Sequence, residues 1–252
     1  MAMEKVYRRT TGIVKDMVSG FCPGCMHGTV HKLIGEVADE MGRANDLIRA
    51  EGIGCCGLGQ KYVTHDSAIC LHGRACAAAT GIKRNEPDSL VYTYQGDGDL
   101  ASIGLGETML AANRGENFTV IFINNGIYGM TGGQMAPTTL LGMKSTTTPK
   151  GRIAEEHGYP IHMSEIIDQL IAPYYIERTT CADPAGVRKT KAAIRKAFEY
   201  QAAGKGFTFV EIVTSCPTNW GLDPISALDF IKEKMLPEYP LGVLRDKGAE
   251  EV

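Results

Sequence analysis

Two stretches of this chain end in the same way. Leu90 to Gln95 is β-branched and aromatic and runs into Gly96-Asp97-Gly98-Asp99, while Phe118 to Asn124 is a nearly unbroken apolar run that stops at Asn125-Gly126. Successive apolar residues mean burial on both faces, the mark of a strand inside a covered parallel sheet. Between them, Leu105 to Arg114 carries helix signals, which makes the order strand, helix, strand. The same order recurs on either side. Thr29 to Met41 places Val30, Leu33, Ile34, Val37 and Met41 at helical spacing, Leu47 to Ile53 reads as a strand, and His72 to Arg84 as a helix. Further along come a helix (Ser164 to Ile171), a strand (Tyr174 to Thr180), a helix (Pro184 to Ala203) and a strand (Phe207 to Val213). This alternation predicts an α/β fold with a doubly wound, mostly parallel sheet and right-handed crossovers. With 252 residues the chain can bury one full core, so a single domain over 1–252 is expected.

Charge narrows the partners. Lys and Arg total 26 against 29 Asp and Glu, a net charge of -3, which leaves no global basic field to hold nucleic acid. Met1 to Val14 contains no apolar run of signal-peptide length, and no later segment approaches the ~20 apolar residues of a membrane span. A cytoplasmic protein with reduced thiols is expected, and eight cysteines in that setting point to metal binding or chemistry rather than disulfides. The basic positions Arg188, Lys189, Lys191, Arg195 and Lys196 share a helix with Val187, Ile194 and Phe198, a pattern expected of a solvated outer face.

Asp97 and Asn125 follow successive predicted strands and would reach neighbouring loops at one edge of the sheet. A carboxylate and an amide oxygen are hard donors for Mg²⁺, which completes its octahedron with a backbone carbonyl such as that of Ile127 and with ligand phosphates. Gly96 and Gly98 let the backbone turn sharply and approach phosphate, and the next helix offers free N–H groups. A lone Gly-Asp-Gly would be an ordinary turn. Here it is paired with a second strand end and followed by Tyr128-Gly129-Met130-Thr131-Gly132-Gly133-Gln134 inside a long loop, Gly126 to Arg152, of the kind that is usually functional.

A second constellation is built from cysteine. Cys22-Pro23-Gly24-Cys25 lets two thiolates converge on one centre, a spacing shared by thioredoxin-like redox sites and zinc sites. Cys55 or Cys56, in the glycine-dense loop after Leu47 to Ile53, and Cys216, before Pro217, each follow a predicted strand. Four thiolates from three loops suit either zinc or a [4Fe–4S] cluster, and spacing does not separate these. Cys70, Cys76 and Cys181 read as small buried hydrophobes.

The Gly-Asp-Gly, its spacing to Asn124-Asn125 and the run Ile127-Tyr-Gly-Met-Thr-Gly-Gly-Gln resemble the diphosphate-binding module of thiamine-dependent enzymes, in the form found in β subunits of 2-oxoacid:ferredoxin oxidoreductases. The resemblance runs from about Phe21 to Cys216. It implies that Asp97, Asn125 and the Ile127 carbonyl hold Mg²⁺, and that Thr131 and the Gly98–Asp99 turn contact phosphate. Tyr128, Gly129 and Met130 then belong to the same binding loop. His72-Gly73-Arg74 matches a further signature in which the His-Gly pair lies by the diphosphate; read alone, His72 is a helix-start histidine.

In that family a Cys-Pro-Gly-Cys, a Gly-Ile-Gly-Cys and a late cysteine ligate one [4Fe–4S] cluster, corresponding here to Cys22, Cys25, Cys55 and Cys216. Ile53, Gly54 and Cys56 would then face the cofactor, Cys56 toward the thiazolium by analogy. The family departs from this chain at Met26-His27, where glycine is commoner after the second cysteine.

The activity so implied is oxidative decarboxylation of a 2-oxoacid, with thiamine diphosphate as electron sink, coenzyme A taking the acyl group and ferredoxin the electrons. No second strand–helix array is visible to bind the aminopyrimidine, and no C-x-x-C-x-x-C run to carry electrons outward. These are expected on an α subunit and on a ferredoxin-like subunit, with a γ subunit beside them. Two rival readings are a non-redox thiamine-dependent decarboxylase or carboligase subunit, against which the four cysteines argue, and a non-catalytic cysteine–metal electron carrier, against which Asp97 and Asn125 argue. Similarity to the shorter β chains favours branched-chain 2-oxoacids or 2-oxoglutarate over pyruvate.

Overall fold

The computed structural model describes residues 9–250, so the first eight residues of the Met1 to Val14 segment lie outside the described residues. Helix α1 (His27–Glu40) leads to strand β1 (Leu47–Glu51), a 3₁₀ turn over Cys55–Lys61, strand β2 (Asp66–Ile69) and helix α2 (Ala75–Asn85). Strand β3 (Leu90–Gly96) enters α3 (Leu105–Arg114) through a π turn at Asp99–Ile103, and β4 (Thr119–Asn124) follows. The hairpin β5 (Ile127–Tyr128) and β6 (Gln134–Met135) opens the long connection, which continues through α4 (Ala154–His157) and α5 (Met163–Asp168). After β7 (Tyr175–Thr180), α6 (Pro184–Ala202) and β8 (Thr208–Val213) come three short helices, α7 (Pro217–Trp220), α8 (Pro224–Phe230) and α9 (Leu236–Glu238), then β9 (Gly242–Asp246) and α10 (Lys247–Glu250).

Seven strands make one sheet in the order β2-β1-β3-β4-β8-β7-β9. Every pairing is parallel except the last, where β9 runs antiparallel along β7. The unbroken apolar runs are explained by alternation between two cores. Along β4, Ile121 and Ile123 face a core shared with α1 and α6, while Val120 and Phe122 face one shared with α2, α3 and α5. All four are essentially without exposure, and each such side chain stabilises the fold by about 1.5–3 kcal/mol relative to an exposed one. The doubly wound, mostly parallel α/β sheet is thus the one the alternation predicts.

Helix α6 begins as its sequence dictates: Asp183 caps it by accepting from the Gly186 N–H, with Pro184 at the first helical position. Its basic stripe differs from the solvated face expected. Lys191 pairs with Glu36 (2.9 Å) and Glu40 (2.7 Å) of α1, Arg195 with Glu40, and Lys196 with Asp246 of β9 (2.7 Å). The stripe therefore lies against two neighbouring elements, each half-exposed pair contributing at most about 1 kcal/mol.

No helix among the described residues is long and apolar enough to cross a membrane. β2 and β9 were not expected. The former is short and mostly exposed, and the latter is a short edge strand, exposed or half-exposed throughout.

Candidate active site

Because β1, β3, β4 and β8 are adjacent and parallel, the loops leaving their C-terminal ends emerge side by side. These loops carry Ile53 to Cys56, Gly96 to Asp99, Asn125 to Thr131, and Cys216. Ligand sites in open α/β sheets form at this edge.

Asp97, buried at the end of β3, accepts from the Gly98 N–H (2.8 Å), the Thr138 hydroxyl (2.7 Å) and the Ile127 N–H (3.2 Å). The same Ile127 N–H donates to Asn125 Oδ1 at 3.1 Å, so the carboxylate and the amide oxygen share one donor. Burial pushes the Asp97 carboxyl up to about 6, against the lowering effect of those hydrogen bonds. A carboxylate that ionises reluctantly beside a second oxygen donor is short of a cation, and the pair fits Mg²⁺.

The two asparagines divide their work. Asn124 donates to the buried Glu211 at 2.8 Å, and Glu211 in turn accepts from Arg178 Nε at 2.8 Å, which leaves Asn125 to the site. A Cβ at Gly98 would stand 2.0 Å from the Tyr128 ring, so only glycine lets that ring close over the turn.

Asp99 is committed to the scaffold. Its Oδ1 accepts from the Ile53 N–H (3.0 Å) and the Gly73 N–H (2.9 Å) and lies 2.6 Å from His72 Nδ1; its Oδ2 accepts from Gln95 at 2.6 Å. The side chain expected near phosphate thus holds three chain segments together, leaving only the turn backbone to face an anion. Thr131 is likewise engaged, donating to Gln134 Oε1 at 2.5 Å, and must turn to meet a phosphate.

The expected cofactor residues line one cavity of about 120 Å³: Ile53, Gly54 and Cys56 after β1, His72, Gly96 to Asp99 after β3, and Asn125, Ile127 and Tyr128 to Thr131 after β4. Gly73 is the exception. It adopts a left-handed turn (φ 77°) and packs against Ile103 and Gly104, behind the wall rather than in it. Cys56 is fully buried and its thiol is pushed up to about 12 by burial, so it is a neutral wall group and a poor nucleophile.

The cysteines gather next to this cavity. Cys22 and Cys25 bracket a turn closed by Cys25 N–H to Cys22 O (3.0 Å), with Gly24 in the left-handed region and Ser215, beside Cys216, donating to the Gly24 carbonyl at 2.7 Å. Burial raises the thiols of Cys25 (to about 12), Cys55 (to about 11) and Cys216, and in each case the charges of the other thiols add to it. The four are therefore electrostatic neighbours. Among the described residues no three His, Cys, Asp or Glu side chains close around a single ion. Four neighbouring thiols from three loops are soft donors of the kind that hold zinc or an iron–sulfur cluster.

The two sets touch at Gly129, where a Cβ would lie 3.4 Å from Cys55 Sγ and 3.5 Å from Cys216 Sγ. Sequence reasoning missed four residues here: Thr138, Asn219, Trp220, whose indole donates to the Asn125 carbonyl at 3.2 Å, and His27, which lines the cavity and bonds Tyr94 at 2.8 Å. Burial pulls His27 down to about 4, so it is neutral. The Cys216-Pro217-Thr218-Asn219 order was the available signal, since Pro217 starts a helical turn that returns Asn219 toward Cys216.

Residues 52–212 match the family described as thiamine pyrophosphate enzyme, C-terminal TPP binding domain. The 2-oxoglutarate synthase subunit KorB of Methanocaldococcus jannaschii is 38% identical over 241 residues, covering 92% of this chain and 83% of that protein. This chain belongs to the thiamine-pyrophosphate-binding subunits of the 2-oxoacid:ferredoxin oxidoreductases. The ketoisovalerate oxidoreductase subunit VorA of Methanothermobacter thermautotrophicus is 50% identical over 230 residues, covering 91% of the chain and 48% of VorA. VorA of Methanothermobacter marburgensis is 47% identical over 249 residues, covering 99% and 52%. The chain thus spans about half the length of these two relatives. Among solved structures, the 2-oxoglutarate:ferredoxin oxidoreductase from Magnetococcus marinus, with 2-oxoglutarate, coenzyme A and succinyl-CoA bound, superposes with a TM-score of 0.74 at 26% identity, over 94% of this chain and 88% of that one.

Proposed function

We propose that this chain is the thiamine-diphosphate-holding subunit of an enzyme that oxidatively decarboxylates a 2-oxoacid to its acyl-CoA, passing electrons through a [4Fe–4S] cluster to ferredoxin. The observation that carries this reading is the closeness of a hard oxygen donor to the soft thiols at one edge of one sheet: the Asp97 carboxylate is near enough to help raise the thiols of Cys55 and Cys216, and the loop between them passes both sulfurs at Gly129. In this reading Asp97, Asn125 and the Ile127 carbonyl hold Mg²⁺ against the diphosphate, and Cys22, Cys25, Cys55 and Cys216 hold the cluster. Bound there, thiamine diphosphate supplies the electron sink for decarboxylation. The rest falls to the chain: Gly96 and Gly98 admit phosphate to the backbone, Thr131 turns toward it, Met130 and Tyr128 cover it, and Ile53, Gly54 and Cys56 exclude water. His72, held by Asp99, lines the same cavity.

A cavity of about 120 Å³ is well below the ~300 Å³ at which small-molecule sites begin, so this chain would grip such a cofactor from one side. That favours an α subunit carrying the aminopyrimidine-binding module across the mouth, with γ and ferredoxin-like subunits completing a cytoplasmic complex, and residues 1–252 acting as one module of it. The cavity wall favours a substrate class. It presents Ile53 and Met130, half-exposed, and no Lys or Arg among the described residues that line it. The higher identity to the VorA relatives favours a branched alkyl 2-oxoacid such as 2-oxoisovalerate over 2-oxoglutarate, and the apolar Ile53 and Met130 suit it.

The test is an anaerobic assay of the purified complex across a panel of 2-oxoacids with coenzyme A and a viologen acceptor. Highest kcat/KM with branched-chain 2-oxoacids is expected. Preference for 2-oxoglutarate overturns the substrate class, and 2-oxoacid turnover without acceptor reduction overturns the redox assignment.

A further inference from the structure

One side chain reaches both donor sets. The Asn219 amide nitrogen lies 2.8 Å from the Gly129 carbonyl and 3.3 Å from Cys216 Sγ, and an amide NH₂ has one hydrogen for each. Its flank is filled by Gly133, a left-handed glycine (φ 87°) whose Cβ would press on Asn219 Oδ1, Cβ and Cγ at 3.1, 3.2 and 3.3 Å. The loop carrying Thr131 is therefore bonded to Asn219 at Gly129 and packs closely on it at Gly133. The next residue repeats the pattern, since the Trp220 indole donates to the carbonyl of Asn125. α7 is the turn that presents both side chains, fixed by Trp220 N–H to Cys216 O (2.9 Å) and Leu222 N–H to Pro217 O (3.0 Å).

We infer that Asn219 is a positioning residue that couples the diphosphate loop to the cluster: it sets the cluster's reduction potential through Cys216 and transmits cofactor occupancy to it through Gly129. This rests on the function proposed above. A hydrogen bond donated to a ligating sulfur favours the more negative, reduced cluster and so raises its potential. The donor that makes this bond is also tied, through Gly129, to the loop whose Thr131 must leave Gln134 to meet a phosphate. Filling the diphosphate site therefore changes the hydrogen bond at Cys216, and by linkage reducing the cluster changes cofactor affinity by the same factor.

The experiment is anaerobic redox titration of the assembled complex, followed by the cluster's EPR signal, with and without thiamine diphosphate and Mg²⁺, in wild type, Asn219→Leu and Asn219→Asp. Wild type is expected to show a potential that moves on cofactor binding. Asn219→Leu, which keeps the shape and loses both donors, is expected to lie at a lower potential, to show a diminished cofactor-induced shift, and to bind the cofactor about three- to tenfold more weakly. Asn219→Asp, which replaces a donor by an anion, is expected lower still, and it carries the test if Asn219→Leu retains less iron. A wild-type complex that binds neither iron nor cofactor would sink the functional reading itself. If wild type holds both, and an iron-replete variant keeps the wild-type potential and cofactor-induced shift, the coupling is overturned and the functional reading stands.

Discussion

The oxygen-donor floor and the thiol cluster are neighbours, yet they are held by different means. Asp97 already accepts three hydrogen bonds from its own chain. The thiols are supported more weakly: Cys22 is exposed, and the other three, though each accepts a hydrogen bond, as Cys216 does from Asn219, are raised by burial and by each other's charge. The floor is hydrogen-bonded by the chain itself, whereas in the proposed reading the thiols would complete their geometry on the cluster, so that binding there would also be folding free energy. The practical consequence is that damage to the thiols should spread locally, whereas damage to the floor should leave its surroundings in place.

The sharpest way to break this contrast is at the cysteines. In the assembled complex, Cys216→Ser or Cys22→Ser is expected to lower acceptor reduction and acyl-CoA formation together by roughly a hundredfold or more, with loss of iron, while CO₂ release persists at a reduced rate and aldehyde appears. Wild-type acceptor reduction by a cluster-free, folded variant, verified by circular dichroism and subunit co-purification, would take the cluster off the electron path. Next in size, Asp97→Ala is expected to weaken thiamine diphosphate retention by tenfold or more with iron near wild type; parallel loss of iron would show that the two regions fold as one.

The third test uses protons. The folded-state Asp97 carboxyl, at about 6, lies above its ordinary 3.8, so in the ion-free chain the native state binds the proton more tightly than the unfolded one. That stabilisation is present below the ordinary value and is lost as pH rises from about 4 through about 6. Metal binding has the opposite slope, because the ligand must be ionised. Calorimetry should find Mg²⁺–diphosphate affinity falling about tenfold between pH 7 and pH 5, and Asp97→Asn should flatten that dependence; a slope unchanged in the variant would assign the proton elsewhere. The smallest effect is expected from Thr138→Val, which removes one neutral donor to Asp97 and should weaken cofactor binding only about two- to tenfold at pH 7, measured in the same titration.

Much of this was legible in the sequence because parallel strands buried on both faces must read as apolar runs, and because ligands from different loops can meet only where those strands end. Asp97, Asn125 and Cys216 each stand just past such a run. The residues that serve them were less visible. Thr138 is one of many threonines in a long loop, and nothing in its spacing aims it at Asp97. Asp99 carries the same side chain as Asp97 two positions away, yet the π turn that follows directs its carboxylate back toward Ile53 and Gly73. The basic face of α6 was read as solvated because a single helix pattern does not reveal that α1 and β9 bring acidic partners to it.

The Asp99 carboxylate also ties the timing of motion to topology. The loops after β1 and β2 are separate in sequence, but the amides of Ile53 and Gly73 share one acceptor oxygen, and Gln95 holds the other. Neither loop can release its amide without disturbing the anchor of the other, so the two loops would loosen as one cooperative unit. Loss of the Asp99 carboxylate would therefore reach both loops at once, although the chain builds them from parts far apart.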